Sequence, residues 1–302
     1  MLSSKGCAAF LAVAELGSFD AAALRLNLTA SAVTLRVQNL EKQLGQVLLL
    51  RERPCRVTLA GQKLLQHLQQ QRLNEQQLLQ QLHGQGYGSG FQEFSIASNA
   101  DSLATWLLPL LQPSLLKHHI ILKLYLDDQS QTHQLLQNGL VSACISSESS
   151  VMQGCVAEYL GHMHYKMVAS PAFVARYLSQ PLTRERLKQL PAVIFDGKDL
   201  LHQQVILRLF GLQQHQYPHF FIPSSSAFVD AIHLGLGFGL VPQYQIGDDL
   251  ETGKLLEILP EAHTQMPLYW HHWQQQPALL NTLSQQLLTQ AQTVFNDPTK
   301  SL

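Results

Sequence analysis

Residues 18–61 read SFDAAALRLNLTASAVTLRVQNLEKQLGQVLLLRERPCRVTLAG, and this stretch decides how the chain is organised. Ser18 is a good N-cap for a helix over Phe19–Leu26, and Asn27 and Leu28 make a turn. Thr29 or Ser31 caps a further helix running to Leu44, with Gly45 in the usual C′ position. Upstream, Cys7, Phe10, Leu11 and Ala14 recur at i, i+3, i+4 and i+7, one apolar face of a preceding helix that Gly17 ends. On the helix after Thr29, Val33, Val37, Leu40 and Leu44 form a stripe that has to pack inward. At about 100° per residue, Ser31, Leu35, Gln38 and Lys42 fall on the opposite side, flanked by Thr34 and Asn39. Short polar side chains near the start of an outward helix face suit base edges in a major groove, with Arg36 and Lys42 alongside. Val47–Arg51 and Arg56–Leu59 then read as two short strands around the turn Glu52-Arg53-Pro54-Cys55. This is a basic wing, whose Arg51, Arg53 and Arg56 suit phosphates or a minor groove. Any one of these residues reads equally well as solvated surface; their grouping on one helix-plus-wing surface is what points to duplex DNA.

The rest of the chain has another character. The whole chain has 302 residues, 46% of them hydrophobic and 14% charged, enough for two or three cores and unlike a disordered protein. The net charge of −1 excludes a general polyanion binder. Residues 1–62 nevertheless carry seven Lys/Arg against four Asp/Glu, leaving 13 basic and 17 acidic residues for the remainder, so the basic surface sits at one end. The four cysteines, Cys7, Cys55, Cys144 and Cys155, have no CxxC spacing and suit a reduced cytoplasm. The run Cys7–Leu16 is too short and too acidic, with Glu15, to read as an export signal. No stretch reaches the roughly 20 apolar residues of a membrane span.

From Thr58 to about Leu82 the pattern is one long helix, with Leu64, Leu65, Leu68, Leu78, Leu79 and Leu82 as an intermittent seam. A dimerising helix is the expectation; a helix packed on its own domain is the alternative. Gly84-Gln85-Gly86-Tyr87-Gly88-Ser89-Gly90 is a hinge by composition. Beyond it, strands are expected at Phe94–Ser98, Ile120–Leu126, Ala143–Ser146, Tyr165–Ser170, Ala192–Phe195, Phe220–Ile222, Gly239–Val241 and Leu268–Trp273. Helices are expected at Ser102–Leu116, Gln131–Asn138, Ala172–Leu178, Asp199–Phe210, Ala227–Leu234 and Ala278–Phe295. This alternation is that of α/β architecture.

The head SFDAAALRLNLTASAVTLRVQNLEKQLG with its wing RERPCRVTLAG resembles the LysR-type transcriptional regulators, and the resemblance runs the full length. Within that family the chain is similar to the lysine/arginine-responsive ArgP/LysG subgroup, on Asn99-Ala100-Asp101-Ser102-Leu103-Ala104-Thr105-Trp106-Leu107-Leu108-Pro109. Phe195-Asp196, Ser224-Ser225, Ala227-Phe228-Val229 and Leu268-Tyr269-Trp270-His271 support it. The resemblance implies a winged helix-turn-helix over 1–60, a linker helix over 61–83 and a hinge over 84–91. It further implies a bilobal effector domain of the periplasmic-binding-protein type 2 kind over 92–302. Its first lobe would be 92–163 plus 267–302, its second 164–266. It also implies operator DNA, a small effector such as an amino acid, a homodimer or homotetramer, and RNA polymerase as partners. Two positions depart from the family. Ala30 stands where glutamine is common, and Leu35 where a polar residue is frequent. Losing a glutamine–adenine contact forfeits roughly 1–3 kcal/mol of discrimination, which leaves a divergent operator, greater reliance on DNA shape, or reduced specificity.

For the effector, Asn99, Asp101 and Ser102 lie between a strand and a helix start, where free N–H groups can receive an α-carboxylate. Ser224 and Ser225 open a second helix; ordinary N-capping is the plainer reading of each serine alone. A basic amino acid also needs anionic partners, and Asp101, Asp127, Asp128 and Asp196 all fall at strand ends, Asp128 and Asp196 being the expected effector partners. Trp106 and Tyr269 read as core. The 14 histidines read as surface or packing residues without zinc-site spacing. No nucleophile–base pair, cofactor loop or metal set is present in the pattern, so no enzyme is expected. A solute-binding protein using the body alone, or a regulator indifferent to effector, are the competing readings.

Overall fold

The computed structural model describes residues 2–65, 67, 68, 71, 72, 75, 91–126, 129–137, 139–152 and 154–296. In the head, α1 (Ser4–Leu16), α2 (Phe19–Leu26) and α3 (Ala30–Leu44) precede a two-stranded wing of β1 (Leu49–Leu50) and β2 (Arg56–Val57). The capping expected from sequence is present: Ser18 Oγ accepts from Ala21 N, and Thr29 Oγ1, not Ser31, accepts from Ala32 N. Gly17 and Gly45 close their helices in the left-handed conformation. The buried stripe of α1 is rotated from the expected one. Cys7, Ala9, Phe10, Ala12 and Val13 are buried, while Leu11 and Ala14 are only half-buried. Small alanines let α1 lie close to α3, whose Val33, Val37 and Leu40 meet it; Leu44 lies at the exposed edge. Cys55 N donates to Gly17 O at 2.8 Å, tying the wing to the end of α1.

Helical backbone resumes at 59, capped by Thr58 Oγ1 accepting from Gly61 N at 3.0 Å. A side chain at Gly61 would meet Leu48 O at 2.1 Å, so glycine lets this helix start against the wing. Leu64, Leu65 and Leu68 are buried in the head's own core, so the first half of the leucine seam packs on its own domain. Leu78, Leu79, Leu82 and the glycine-rich 84–90 segment lie outside the described residues.

The body opens with β3 (Gln92–Ser98), followed by a continuous helix α4 made of Ala100–Ser102, a π turn over Leu103–Leu107, and Leu108–Lys117. Pro109 has no N–H to give the carbonyl of Thr105, and the helix widens just before it. Next come β4 (Ile120–Leu126), α5 (Gln129–Gln137), β5 (Ala143–Ser146) and a long β6 (Cys155–Ala169). The second half holds α6 (Pro171–Tyr177), α7 (Arg184–Leu187), β7 (Ala192–Ile194), α8 (Leu200–Phe210) and β8 (His219–Phe221). It continues through α9 (Ser225–His233), β9 (Gly239–Pro242), α10 (Gln243–Ile246) and β10 (Leu256–Glu257). β11 (Thr264–Trp273) and α11 (Ala278–Asn296) complete it.

Two lobes follow from the pairing. β6, β11, β5, β3 and β4 lie side by side in that order, with β3 parallel to both β4 and β5. The far end of β6 pairs instead with β9 and β10, and Phe238, just before β9, bridges to β7, which is parallel to β8. The chain thus crosses between lobes along β6 and returns along β11, antiparallel to each other from Thr264↔Tyr165 to Trp273↔Cys155. β6, with 15 residues, is two and a half times as long as the six-residue strand the sequence pattern suggests. At its bend, Gly161 has φ +151, and a side chain there would strike Phe295 Cβ of α11 at 2.3 Å. Trp106 and Trp270 are fully buried with Leu283 and Leu287 of α11, and Trp270 Nε1 donates to Ser284 Oγ at 3.0 Å. Among the described residues no helix is long and apolar enough to cross a membrane.

Candidate nucleic-acid interface and effector cleft

The outward side of α3 is free. Ser31, Leu35, Gln38 and Lys42 are exposed, Thr34 and Arg36 half-buried, and Leu35 keeps 58% of its surface in contact with solvent. Thr29 is exposed as well, its hydroxyl 3.0 Å from that of Ser31. Arg51, Arg53 and Arg56 are exposed on and around the wing; Arg51 lies over the Phe19 ring at 5.6 Å, and Arg56 is 3.9 Å from Glu52. A pair at that distance on the surface holds its partners weakly and leaves the guanidinium available. All ten residues expected to meet DNA therefore lie on α3, its cap or the wing, none of them buried. The face carries an apolar spot at Leu35 among hydroxyls, an amide and cations, which can touch a thymine methyl.

In the body, β3 has β4 on one side and β5 on the other, both parallel to it, so its carboxyl end is a topological switch point, where open α/β sheets leave a crevice for ligands. Asn99, Asp101 and Ser102 sit there. Asn99 Oδ1 caps α4 by accepting from Ser102 N at 2.7 Å, which leaves its Nδ2 pointing elsewhere. Asn99 Nδ2 and Ser102 Oγ are buried without a hydrogen-bond partner. Buried polar groups left unpaired are costly unless something comes to meet them.

Asp101 gathers residues from across the chain. Tyr165 Oη of β6 donates to its Oδ2 at 2.9 Å, and Ser225 Oγ, at the start of α9, lies 3.0 Å from its Oδ1. Gln245 of α10 holds Ser225 in turn, Nε2 donating to Ser225 O at 2.8 Å. Burial pushes the Asp101 carboxyl above the usual carboxylate range, and the two hydroxyls pull it back in part. Asp199 caps α8, accepting from Leu201 N and His202 N at 3.1 and 3.2 Å. Burial raises its pKa too; the N–H groups of His202 and Phe195 oppose this, and the charge of Asp101 adds to it.

Ser225 and Asp101 are thus brought together, with Asn99 and Ser102 flanking Asp101 in sequence. Ser224 is exposed, its hydroxyl nearer Ser226 than any cleft residue, and it makes no side-chain cap. Asp196 is half-buried and accepts from Lys198 N at 2.7 Å in a local turn. Asp127 and Asp128 lie outside the described residues. Sequence reasoning missed Tyr165, Asp199 and Gln245. Asp199 opens the expected helix Asp199–Phe210, but nothing in the pattern marks it for the cleft. Behind it, His202 is buried with neither ring nitrogen bonded, and Tyr217 Oη is likewise unpartnered. Among the described residues no cluster of His, Cys, Asp and Glu could hold a metal ion.

Comparison with known proteins bears on both sites. Residues 5–62 match the family described as bacterial regulatory helix-turn-helix protein, lysR family, and residues 88–292 match the LysR substrate binding domain. The chain is 40% identical over 284 residues to the HTH-type transcriptional regulator ArgP of Photobacterium profundum, covering 94% of this chain and 95% of that protein. Among solved structures it is similar to ArgP from Mycobacterium tuberculosis, with a TM-score of 0.81 at 34% identity over 96% of this chain and 98% of that one. Full-length LysG from Corynebacterium glutamicum with bound effector Arg gives a TM-score of 0.75 at 30% identity, covering 95% and 97%. The body has the curled mixed sheet of a periplasmic-binding-protein type 2-like effector domain, the head a DNA-binding helix-turn-helix, and the relatives are regulators, not enzymes. On both domain matches and on full-length likeness, the chain belongs to the LysR family of transcriptional regulators, proteins whose binding to operator DNA is modulated by a small effector.

Proposed function

We propose that the effector is a basic amino acid, lysine or arginine, held between the two lobes by Asn99, Asp101, Ser102, Tyr165, Asp199 and Ser225. The observation that carries this reading is the pairing of two kinds of group in one cleft. Asn99 Nδ2 and Ser102 Oγ are unsatisfied buried groups able to donate to an α-carboxylate. The charge of Asp101 reaches Asp199 and raises its pKa, so the two acids together suit a cation. The arginine-bound LysG and the ArgP relatives support the same class of ligand. Asp196 stands at the rim, on the turn that follows β7.

Thr29, Ser31, Thr34, Leu35, Arg36, Gln38 and Lys42 then read the operator, with Arg51, Arg53 and Arg56 on its backbone. The protein works in the cytoplasm as a homodimer or homotetramer, and RNA polymerase is its partner when it activates. Effector binding biases the lobe arrangement and so the spacing of the DNA-binding heads; only a ligand with unequal affinity for two arrangements can do this.

The test is a thermal-shift and calorimetric screen of the full chain against the common amino acids. Lysine or arginine at a hundredfold excess over Kd should stabilise by about 2.7 kcal/mol, and neutral amino acids should give no shift. Equal response to neutral and basic amino acids, or no response to either, sinks this assignment.

A further inference from the structure

The hydrogens around Asp101 do not add up if its carboxyl is ionised. Ser225 Oγ lies 3.0 Å from Asp101 Oδ1 and also 3.0 Å from Gln245 Oε1. The orientation of the Gln245 amide is fixed, because its Nε2 donates to the main-chain oxygen of Ser225 at 2.8 Å. Turning the amide over would set two acceptors against each other there. A hydroxyl has one proton to give. With Asp101 ionised, one of the two oxygen pairs at 3.0 Å has no hydrogen between its members. With Asp101 protonated, every donor is used once. Tyr165 donates to Oδ2, the acid donates from Oδ1 to Ser225 Oγ, Ser225 donates to Gln245 Oε1, and Gln245 donates back to Ser225 O.

The surroundings favour the same state. Tyr165 and Ser225 offer Asp101 hydroxyls rather than a cation, and an ionised Asp101 would work against ionisation of Asp199 at the head of α8. The chain of bonds also joins the lobes, since Asp101 follows β3 whereas Ser225 and Gln245 belong to α9 and α10.

We propose that in the effector-free protein Asp101 carries a proton and latches one lobe to the other, and that a cationic effector is exchanged for that proton. This rests on the basic-amino-acid reading above. The exchange balances: the incoming ammonium or guanidinium keeps its hydrogens, the Asp101 O–H bond breaks with its proton going to solvent, and a carboxylate–cation pair replaces the acid–hydroxyl bond. Ser225 then turns its hydrogen to the carboxylate, the stronger acceptor. Gln245 Oε1 is left facing an oxygen at 3.0 Å with nothing between, and its amide swings away. α10, which carries Gln245, packs on β6 and on the π turn of α4, so the change is felt where the lobes join. A ligand with no cation to offer leaves the proton, and the latch, in place.

Two measurements on the full-length chain decide this. The first is calorimetric titration with lysine and with arginine, in buffers of different ionisation heat, from about pH 5 to about pH 8. Release should approach one proton per effector at the acid end and fall away as pH rises through the folded pKa of Asp101. Where release is complete, affinity should gain up to tenfold per pH unit. The second is the infrared spectrum of the effector-free protein at about pH 5, where ordinary carboxyls are mostly ionised. A protonated carboxyl band should be present and absent from D101N.

The amide of D101N mimics the protonated acid, donating to Ser225 and accepting from Tyr165. Its melting temperature in acid should therefore be no lower than that of the natural protein, with D101A below both, while effector affinity falls. Effector binding without proton release, or no band lost in D101N, overturns the latch. A natural protein that binds neither amino acid overturns the effector reading and the exchange with it, while the infrared band still decides whether Asp101 holds its proton.

Discussion

At the scale of single residues, burial has changed what several side chains can do. The histidines read from sequence as surface or packing groups, and His202 and His271 are of the packing kind, buried at 1% and 0% exposure among neighbours contributed by distant strands. His202 lies among Phe238 and Tyr217, with ring centroids at 6.0 and 6.2 Å, and neither of its nitrogens has a partner. Burial, helped by the charge of His219, lowers its pKa from 6.5 to about 4. A depressed pKa means the unfolded chain binds the proton more readily than the folded one. The associated stability is present above pH 6.5 and is lost as the pH falls towards 4, amounting to roughly 3 kcal/mol over that window. His202→Phe keeps the ring and deletes the titration. Calorimetric melting should show the natural protein losing stability more steeply than H202F between these two pH values, and parallel profiles would mean that His202 stays charged when folded.

At the scale of elements, what was legible followed from local chemistry. Ser18, Thr29, Gly17 and Gly45 mark helix ends by their own hydrogen bonds or backbone conformation, and α2, β4 and β5 fall on the expected residues. The first ten residues of β6 were missed because their alternation is disguised: His162 and His164 face out while Leu160 and Met163 face in, and Gly161 breaks the run. Only the packing of α11 explains that glycine. Gly161→Ala would drive a methyl into Phe295, on a helix that also buries Leu283, Leu287 and Ala291, and in a conformation a side chain resists. Overpacking of this kind costs about 1–3 kcal/mol. Urea unfolding of G161A should show a lowered midpoint at unchanged slope; a midpoint equal to the natural protein's would mean α11 shifts freely. In the cleft the same division holds. Asp101 and Ser225 were visible because they stand at strand and helix ends, whereas Tyr165 reaches Asp101 only through the crossing of β6, and Gln245 reaches Ser225 only through the docking of α10.

At the scale of the whole molecule, the basic head and the acidic body divide the work, and the division is testable because coupling runs both ways. If effector changes operator affinity by some factor, operator must change effector affinity by the same factor. A duplex selected from random sequence by the purified chain supplies the operator, and calorimetry of lysine or arginine with and without it supplies the second arm. The two factors should agree within error. The wing provides the control. Replacing Arg51, Arg53 and Arg56 together by Ala removes exposed cations at the cost of surface contacts to Phe19 and Glu52, so folding should be little changed and effector affinity in the absence of DNA unchanged. Operator binding should weaken across all sequences, and the slope of log affinity against log salt should shrink by up to about 0.9 for each phosphate no longer neutralised. In that variant, at a duplex concentration that saturates the natural protein, adding the operator should leave effector affinity nearly untouched. An unchanged salt slope would remove the wing from the DNA face, and a coupling factor of one in both arms would mean that the effector does not act through operator affinity.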